Sequence, residues 1–122
     1  MKQVEKDPER EARIYNEAVV DAYCEEERAM GWYYYLEGKI EFPFTGKCIK
    51  KVSTSPLKVG QVVEVTGMAD EDVCEHDMFV AVAIDGEEID VPLVQIEPCE
   101  ATEDTNEAIG DWHYWKAREY QF

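Results

Sequence analysis
Glu25-Glu26-Glu27-Arg28-Ala29-Met30-Gly31-Trp32-Tyr33-Tyr34-Tyr35-Leu36-Glu37-Gly38-Lys39-Ile40-Glu41-Phe42-Pro43-Phe44 decides the fold of this chain. Within it the hydrophobic period passes from helical to alternating, and a run of aromatics, Trp32-Tyr33-Tyr34-Tyr35, sits at the change. A helix is expected to end near Gly31, since glycine serves well as a helix stop. The aromatics then enter the core and the chain runs into a sheet. Periodicity over so short an apolar run leaves two forms open for residues 32–36 and 40–44. They form either an extended hairpin arm or a helix end followed by a strand, with Glu37-Gly38-Lys39 as the turn. Carboxylates flank the aromatics on both sides, which makes this junction the first place to look for function.

Upstream, residues 1–7 are a polar lead-in, and Asp7-Pro8 has the form of a helix start: an Asp cap, then Pro at the first helical position. Residues 8–30 follow helical spacing through Ile14, Ala18, Ala22, Ala29 and Met30. Glu17, Asp21 and Glu25 recur every four residues, which stacks their carboxylates on one stripe of that helix. Downstream, residues 46–52, 62–65, 78–84 and 88–91 read as strands. Asp85-Gly86 makes a tight hairpin turn, and residues 92–96 a short helical turn and an edge strand. Residues 69–77 are an acidic loop. A second helix begins at Thr102, with Ala108, Ile109, Trp112, Trp115 and Lys116 on its buried face, and the aromatic tail to Phe122 suggests docking. The fold class is α+β: a small SH3-like barrel or curled antiparallel sheet of about five strands, with an N-terminal and a C-terminal helix. By length, residues 1–122 are expected to form a single domain.

Hydrophobic residues make up 45% of the chain, enough to bury a core despite 33% charged residues. The formal net charge is −16, from 28 acids against 12 bases. Such a surface repels phosphate, so nucleic acid and anionic membrane are poor partners, whereas cations and a basic protein surface are good ones. The N-terminus has no apolar stretch of the signal-peptide kind, and the longest clean apolar run, residues 79–84, is too short to span a bilayer. Cys24, Cys48, Cys74 and Cys99 contain no CxxC pair and read as reduced core thiols, two disulfides being the alternative. A cytoplasmic location is expected.

The densest cluster of oxygen ligands is Asp70-Glu71-Asp72-Val73-Cys74-Glu75-His76-Asp77. Calcium takes about six to eight oxygens, and clustered carboxylates supply them while relieving their own repulsion. The helix-loop-helix calcium pattern fails here: Cys74 stands at position five, Glu75 where Gly is needed, and Ala81 at the bidentate Glu position. Glu26 lies beside the helical stripe, which leads towards Glu37 and Glu41, so carboxylates from separate segments are expected to converge. Glu103, Asp104, Glu107 and Asp111 lie early in the C-terminal helix, where acids complement the helix dipole without a ligand. Cys74 and His76 lack the paired spacing of a zinc site. With His76 and His113 as the only histidines, and no nucleophile elbow or phosphate loop, the chain does not read as an enzyme.

Several stretches resemble the cyanobacterial-type calcium-binding protein family (CcbP-like). They are residues 27–37 and Phe42-Pro43-Phe44, then Ser55-Pro56-Leu57, residues 63–68 and Val91-Pro92-Leu93. Asp111-Trp112-His113-Tyr114-Trp115 and Tyr120-Gln121-Phe122 complete the set. The resemblance implies a small acidic cytoplasmic protein that binds Ca2+ through surface carboxylates and buffers or regulates free calcium. It also implies an acid, in some members, at the turn held here by Gly38. The candidate metal ligands are Asp21, Glu25, Glu26, Glu37, Glu41, Asp70, Glu71, Asp72, Glu75 and Asp77. The alternative function is an acidic interaction module without a specific metal, which engages a basic partner or mimics nucleic acid.

Overall fold
The computed structural model describes residues 5–20, 22–118 and 120. Helix α1 (Pro8–Arg13) starts as its sequence dictates: the Asp7 carboxylate accepts the Arg10 N–H at 3.1 Å and Pro8 takes the first helical position. It does not run on to Met30. A single π turn, Ile14–Ala18, follows, and the chain breaks before helix α2 (Glu25–Lys39). The break dissolves the expected stripe. Glu17 sits in the π turn, Glu25 opens α2, and Asp21 lies outside the described residues.

Helix α2 continues through Gly31, the expected stop. Glycine is needed there for closeness instead: a Cβ would lie 2.2 Å from the Ala18 carbonyl oxygen, so the π turn can cross α2 only over a bare backbone. The aromatic block is therefore helical. Ala29, Trp32, Tyr33 and Leu36 are buried at the spacing of one helix face, Tyr35 is buried beside them, and Tyr34 is left exposed. Glu37-Gly38-Lys39 is the last turn of this helix, not a hairpin turn.

Five antiparallel strands follow: β1 (Phe44–Cys48), β2 (Val62–Met68), β3 (Phe79–Ile84), β4 (Glu87–Pro92) and β5 (Ile96–Glu100). Their order in the sheet is β4-β3-β2-β1-β5. Asp85 (φ 50°) and Gly86 (φ 84°) form the β3–β4 turn, both in the left-handed region that such a turn requires. A 3-10 turn, Leu93–Gln95, carries the chain across to β5, which pairs with β1. Register shifts at Thr45/Gly46 and at Val65/Gly67 bend the ladders. No ladder joins β4 to β5 among the described residues, so of the two expected forms the sheet is the open, curled one.

Helix α3 (Glu103–Ala117) is capped by Thr102, whose hydroxyl accepts the Thr105 N–H at 3.2 Å. It packs against α2 through Trp32, which meets Trp112 and Trp115 edge-on at 5.0 and 5.5 Å between ring centres. Val65, Val80, Val82, Val91 and Ile96 of the sheet belong to the same buried cluster. Tyr120 packs on Trp115 at 5.2 Å, while Gln121 and Phe122, part of the expected docked tail, lie outside the described residues. All four cysteines are free. Cys48 and Cys74 are core thiols as expected, but Cys24 and Cys99 are exposed. Glu103 and Asp104 occupy the first turn of α3 as helix-complementing acids, whereas Asp111 is fully buried.

Candidate metal centre
The first wall of the site is the start of α2. Its cap residue, Cys24, is extended and offers no side-chain cap, so Glu25, Glu26 and Glu27 supply negative charge to the first turn. Glu27 folds back to accept the Tyr23 N–H at 2.9 Å. Glu25 and Glu26 face a cleft of about 520 Å³.

The second wall is the loop after β2. The Ala69 N–H donates to the Phe79 carbonyl at 3.1 Å and closes the base of the loop. A 3-10 turn (Glu71–Cys74) then forms on Asp70, with the Val73 N–H on the Asp70 carbonyl at 2.9 Å. The Cys74 thiol points inward, accepts the Phe79 N–H at 3.4 Å, and is pushed up by burial. It anchors the loop and offers neither a soft-metal ligand nor a nucleophile at the surface. Glu71, Asp72 and Glu75 are thereby held outward and line the cleft opposite Glu25 and Glu26.

Two tyrosines tie the walls together. Tyr33 donates its hydroxyl to the Ala69 carbonyl at 2.8 Å, and Tyr34 donates to the Glu71 carboxylate at 2.6 Å. Burial pushes the Tyr33 phenol up to about 12, and the Glu37, Glu71 and Asp70 charges push the same way. Glu37 lies on the stripe of α2 that runs from Glu26 through Met30 and Tyr33, outside the lining of the cleft. Among the described residues, His76 is the one nitrogen base lining the cleft, with its Nδ1 3.2 Å from Glu25 Oε1, and no lysine or arginine lines the walls.

Among the expected ligands, the structure brings Glu25, Glu26, Glu71, Asp72 and Glu75 to one cleft. Asp70, just before the 71–74 turn, and Glu37, near the end of α2, are not among its lining residues. Two others are drawn elsewhere. Asp77 accepts the Met78 N–H at 2.9 Å and pairs with Lys116 at 3.4 Å. Glu41 is exposed just past the end of α2, its backbone N–H on the Thr105 hydroxyl at 2.8 Å. The donors are hard oxygens, the set calcium takes. Among the described residues no three of the acidic, histidine or cysteine side chains converge closely enough to hold an ion as they stand. The cleft matches calcium in donor chemistry, and its exposed glutamates retain the rotamer freedom to close on an ion. Tyr33, Tyr34 and Met30 were not expected at the site. A helix carried past Gly31 would have placed them there, at helical spacing from Glu26.

Fold and cleft together define the class: a small acidic α+β protein with a carboxylate-lined cleft between a helix start and a sheet loop. The chain belongs to the CcbP family, whose model, described as calcium binding, matches residues 12–116. Anabaena CcbP, known from a crystal structure, is similar over the whole of both chains, with 50% identity and a TM-score of 0.88. So is a calcium-binding protein solved in its calcium-binding form, with 48% identity and a TM-score of 0.87. No curated protein matches the chain. No helix among the described residues is long and apolar enough to cross a membrane.

Proposed function
We propose that this protein binds calcium at the cleft between the start of α2 and the 70–77 loop. Glu25, Glu26, Glu71, Asp72 and Glu75 supply the oxygens, and Asp70 and Glu37 lie outside its lining. The protein buffers or regulates free calcium in the cytoplasm and performs no catalysis. The observation that carries this reading is the facing of two acidic segments across one cleft with no lysine or arginine between them among the described residues. Membership of a calcium-binding family supports the choice of ion. The chain's own residues have defined parts in it. Tyr34 holds Glu71 outward and the His76 ring partners Glu25, so both carboxylates are kept near the cleft when no ion bridges them. Bringing these carboxylates together raises their mutual repulsion, and a divalent cation offsets it.

Calorimetric titration with calcium and with magnesium tests the proposal. Calcium binding is expected to give a saturable isotherm and to raise the melting temperature, by an amount equivalent to about 2.7 kcal/mol at a hundredfold excess over Kd. Asp72→Asn combined with Glu75→Gln should weaken it. No saturable heat and no melting shift at millimolar calcium would reject the proposal.

A further inference from the structure
A second concavity, of about 320 Å³, opens between the π turn, the first turns of α2 and the end of α3. Among the described residues its walls are Tyr15, Val19, Ala22, Trp115 and Tyr120, and the one charged residue of that lining is Arg28. The chemistry inverts that of the acidic cleft: an apolar groove holding a cation, in a chain of net charge −16. The other arginines are engaged. Arg10 and Arg13 grip Asp111, and Arg118 lies over the Tyr120 ring. The half-buried Arg28 has no side-chain partner among the described residues. Burial raises the Tyr15 phenol above its ordinary value, Tyr120 and Glu11 push the same way, and the Arg28 charge opposes them.

The rim of the groove is apolar as well. Tyr15, Val20 and Tyr23 are 49%, 54% and 83% exposed within one short segment. Single exposed hydrophobics are ordinary, but a cluster beside a concave apolar wall marks an interaction surface. A guanidinium with no counter-ion among the described residues at that wall is a ready fork for a carboxylate. The net charge narrows the occupant, because a segment with many acids, or a second copy of this chain, is repelled at long range. We infer that this groove docks a mainly apolar peptide segment of a partner protein, with one aromatic side chain against Tyr15 and Trp115 and one neighbouring carboxylate on Arg28.

The test uses the full chain, labelled with nitrogen-15 and kept in a calcium chelator so that the acidic cleft plays no part. The probes are the dipeptide N-acetyl-Leu-Phe with a free carboxylate and its C-terminal amide. The carboxylate probe should shift the amides of Tyr15, Val19 and Arg28 and the Trp115 indole, and should bind about tenfold more tightly than the amide. Arg28→Gln should bring the carboxylate probe down to the level of the amide and leave the amide unchanged, while Arg28→Lys should retain part of the difference. Equal binding of the two probes, shifts centred elsewhere, or no shifts at millimolar probe would overturn the inference. Concentration-dependent shifts of the same residues without probe would overturn it too, by assigning the groove to a second copy.

Discussion

Arg13 grips Asp111 with two nitrogens, Nε at 2.9 Å from Oδ2 and Nη2 at 2.6 Å from Oδ1, and the carboxylate has no exposure to solvent. Tyr35 donates to the same carboxylate at 2.6 Å, and Arg10 stands 3.6 Å away. Lys39 joins Glu107 alongside. One buried acid thus binds α1, α2 and α3 together. Burial and Asp111 push the Tyr35 phenol up to about 12, and its hydrogen bond to Asp111 holds the Arg13 guanidinium above its ordinary value.

Removing Asp111 leaves the half-buried Arg13 with only Glu107, 3.5 Å from its Nε, and leaves the Tyr35 hydroxyl without its acceptor. Asp111→Ala is expected to cost about 1–3 kcal/mol, because buried polar groups lose their hydrogen-bond partner while Glu107 offsets part of the lost charge pairing. Urea unfolding of the variant against the parent measures this. A loss below about 1 kcal/mol would mean that the network is hydrated and contributes little.

Two glycines of α2 should respond in opposite directions. At Gly31 an added Cβ meets the Ala18 carbonyl oxygen at 2.2 Å, so Gly31→Ala must push the π turn off the helix and should destabilise by about 1–3 kcal/mol. At Gly38 a Cβ meets nothing within 4 Å, so Gly38→Ala should stabilise the helix by about 0.5–1 kcal/mol. Melting temperatures of the two variants check both signs at once.

Acid should weaken the fold in two stages. His113 packs with its Nε2 2.7 Å from the Ile96 carbonyl, and burial lowers it from 6.5, against the opposing pull of Glu97. The unfolded chain then takes the proton more readily than the folded one. The contribution of this histidine is present above pH 6.5 and is lost as pH falls through its lower folded value. Glu11 accepts hydroxyls from Tyr114 at 2.6 Å and Tyr120 at 2.8 Å, and the Tyr114 bond leads in lowering it from 4.5. Its contribution is present above pH 4.5 and is lost as pH falls through the folded value. Urea midpoints of His113→Gln and Glu11→Gln against the parent across pH 2–8 should show the first variant flattening the upper step and the second flattening the lower. Protonation of the surface acids is common to all three proteins and cancels in the differences.

Strands β2, β3 and β4, the Asp85-Gly86 turn and the Thr102 start of α3 were legible because alternation, turn chemistry and capping are local signals. By contrast, β1 spans Phe44–Cys48 and not 46–52, and β5 runs over Ile96–Glu100, beyond the edge strand expected within 92–96. The junction at residues 25–44 was misread for a tertiary reason. Gly31 looks like a stop in one dimension, and only the crossing of the π turn shows it to be a spacer. The stripe of Glu17, Asp21 and Glu25 failed for the same reason, since a helix break leaves little trace in hydrophobic spacing. The acidic loop was legible as a cluster. That Asp77 turns to Lys116, and that Glu25 and Glu26 face Glu71, depends on how α2 is laid against that loop. Asp111 carried no signal in the sequence at all, because its partner Arg13 lies in another helix.

The central claim is that acids from the start of α2 and from the 70–77 loop hold one ion between them. Carboxyl carbon NMR during a calcium titration tests it most directly. The account predicts saturable shifts of Glu25, Glu26, Glu71, Asp72 and Glu75, with those of the β3–β4 hairpin, Glu87 and Glu88, unmoved. Shifts confined to one of the two segments, or spread evenly over all the surface acids, would contradict it.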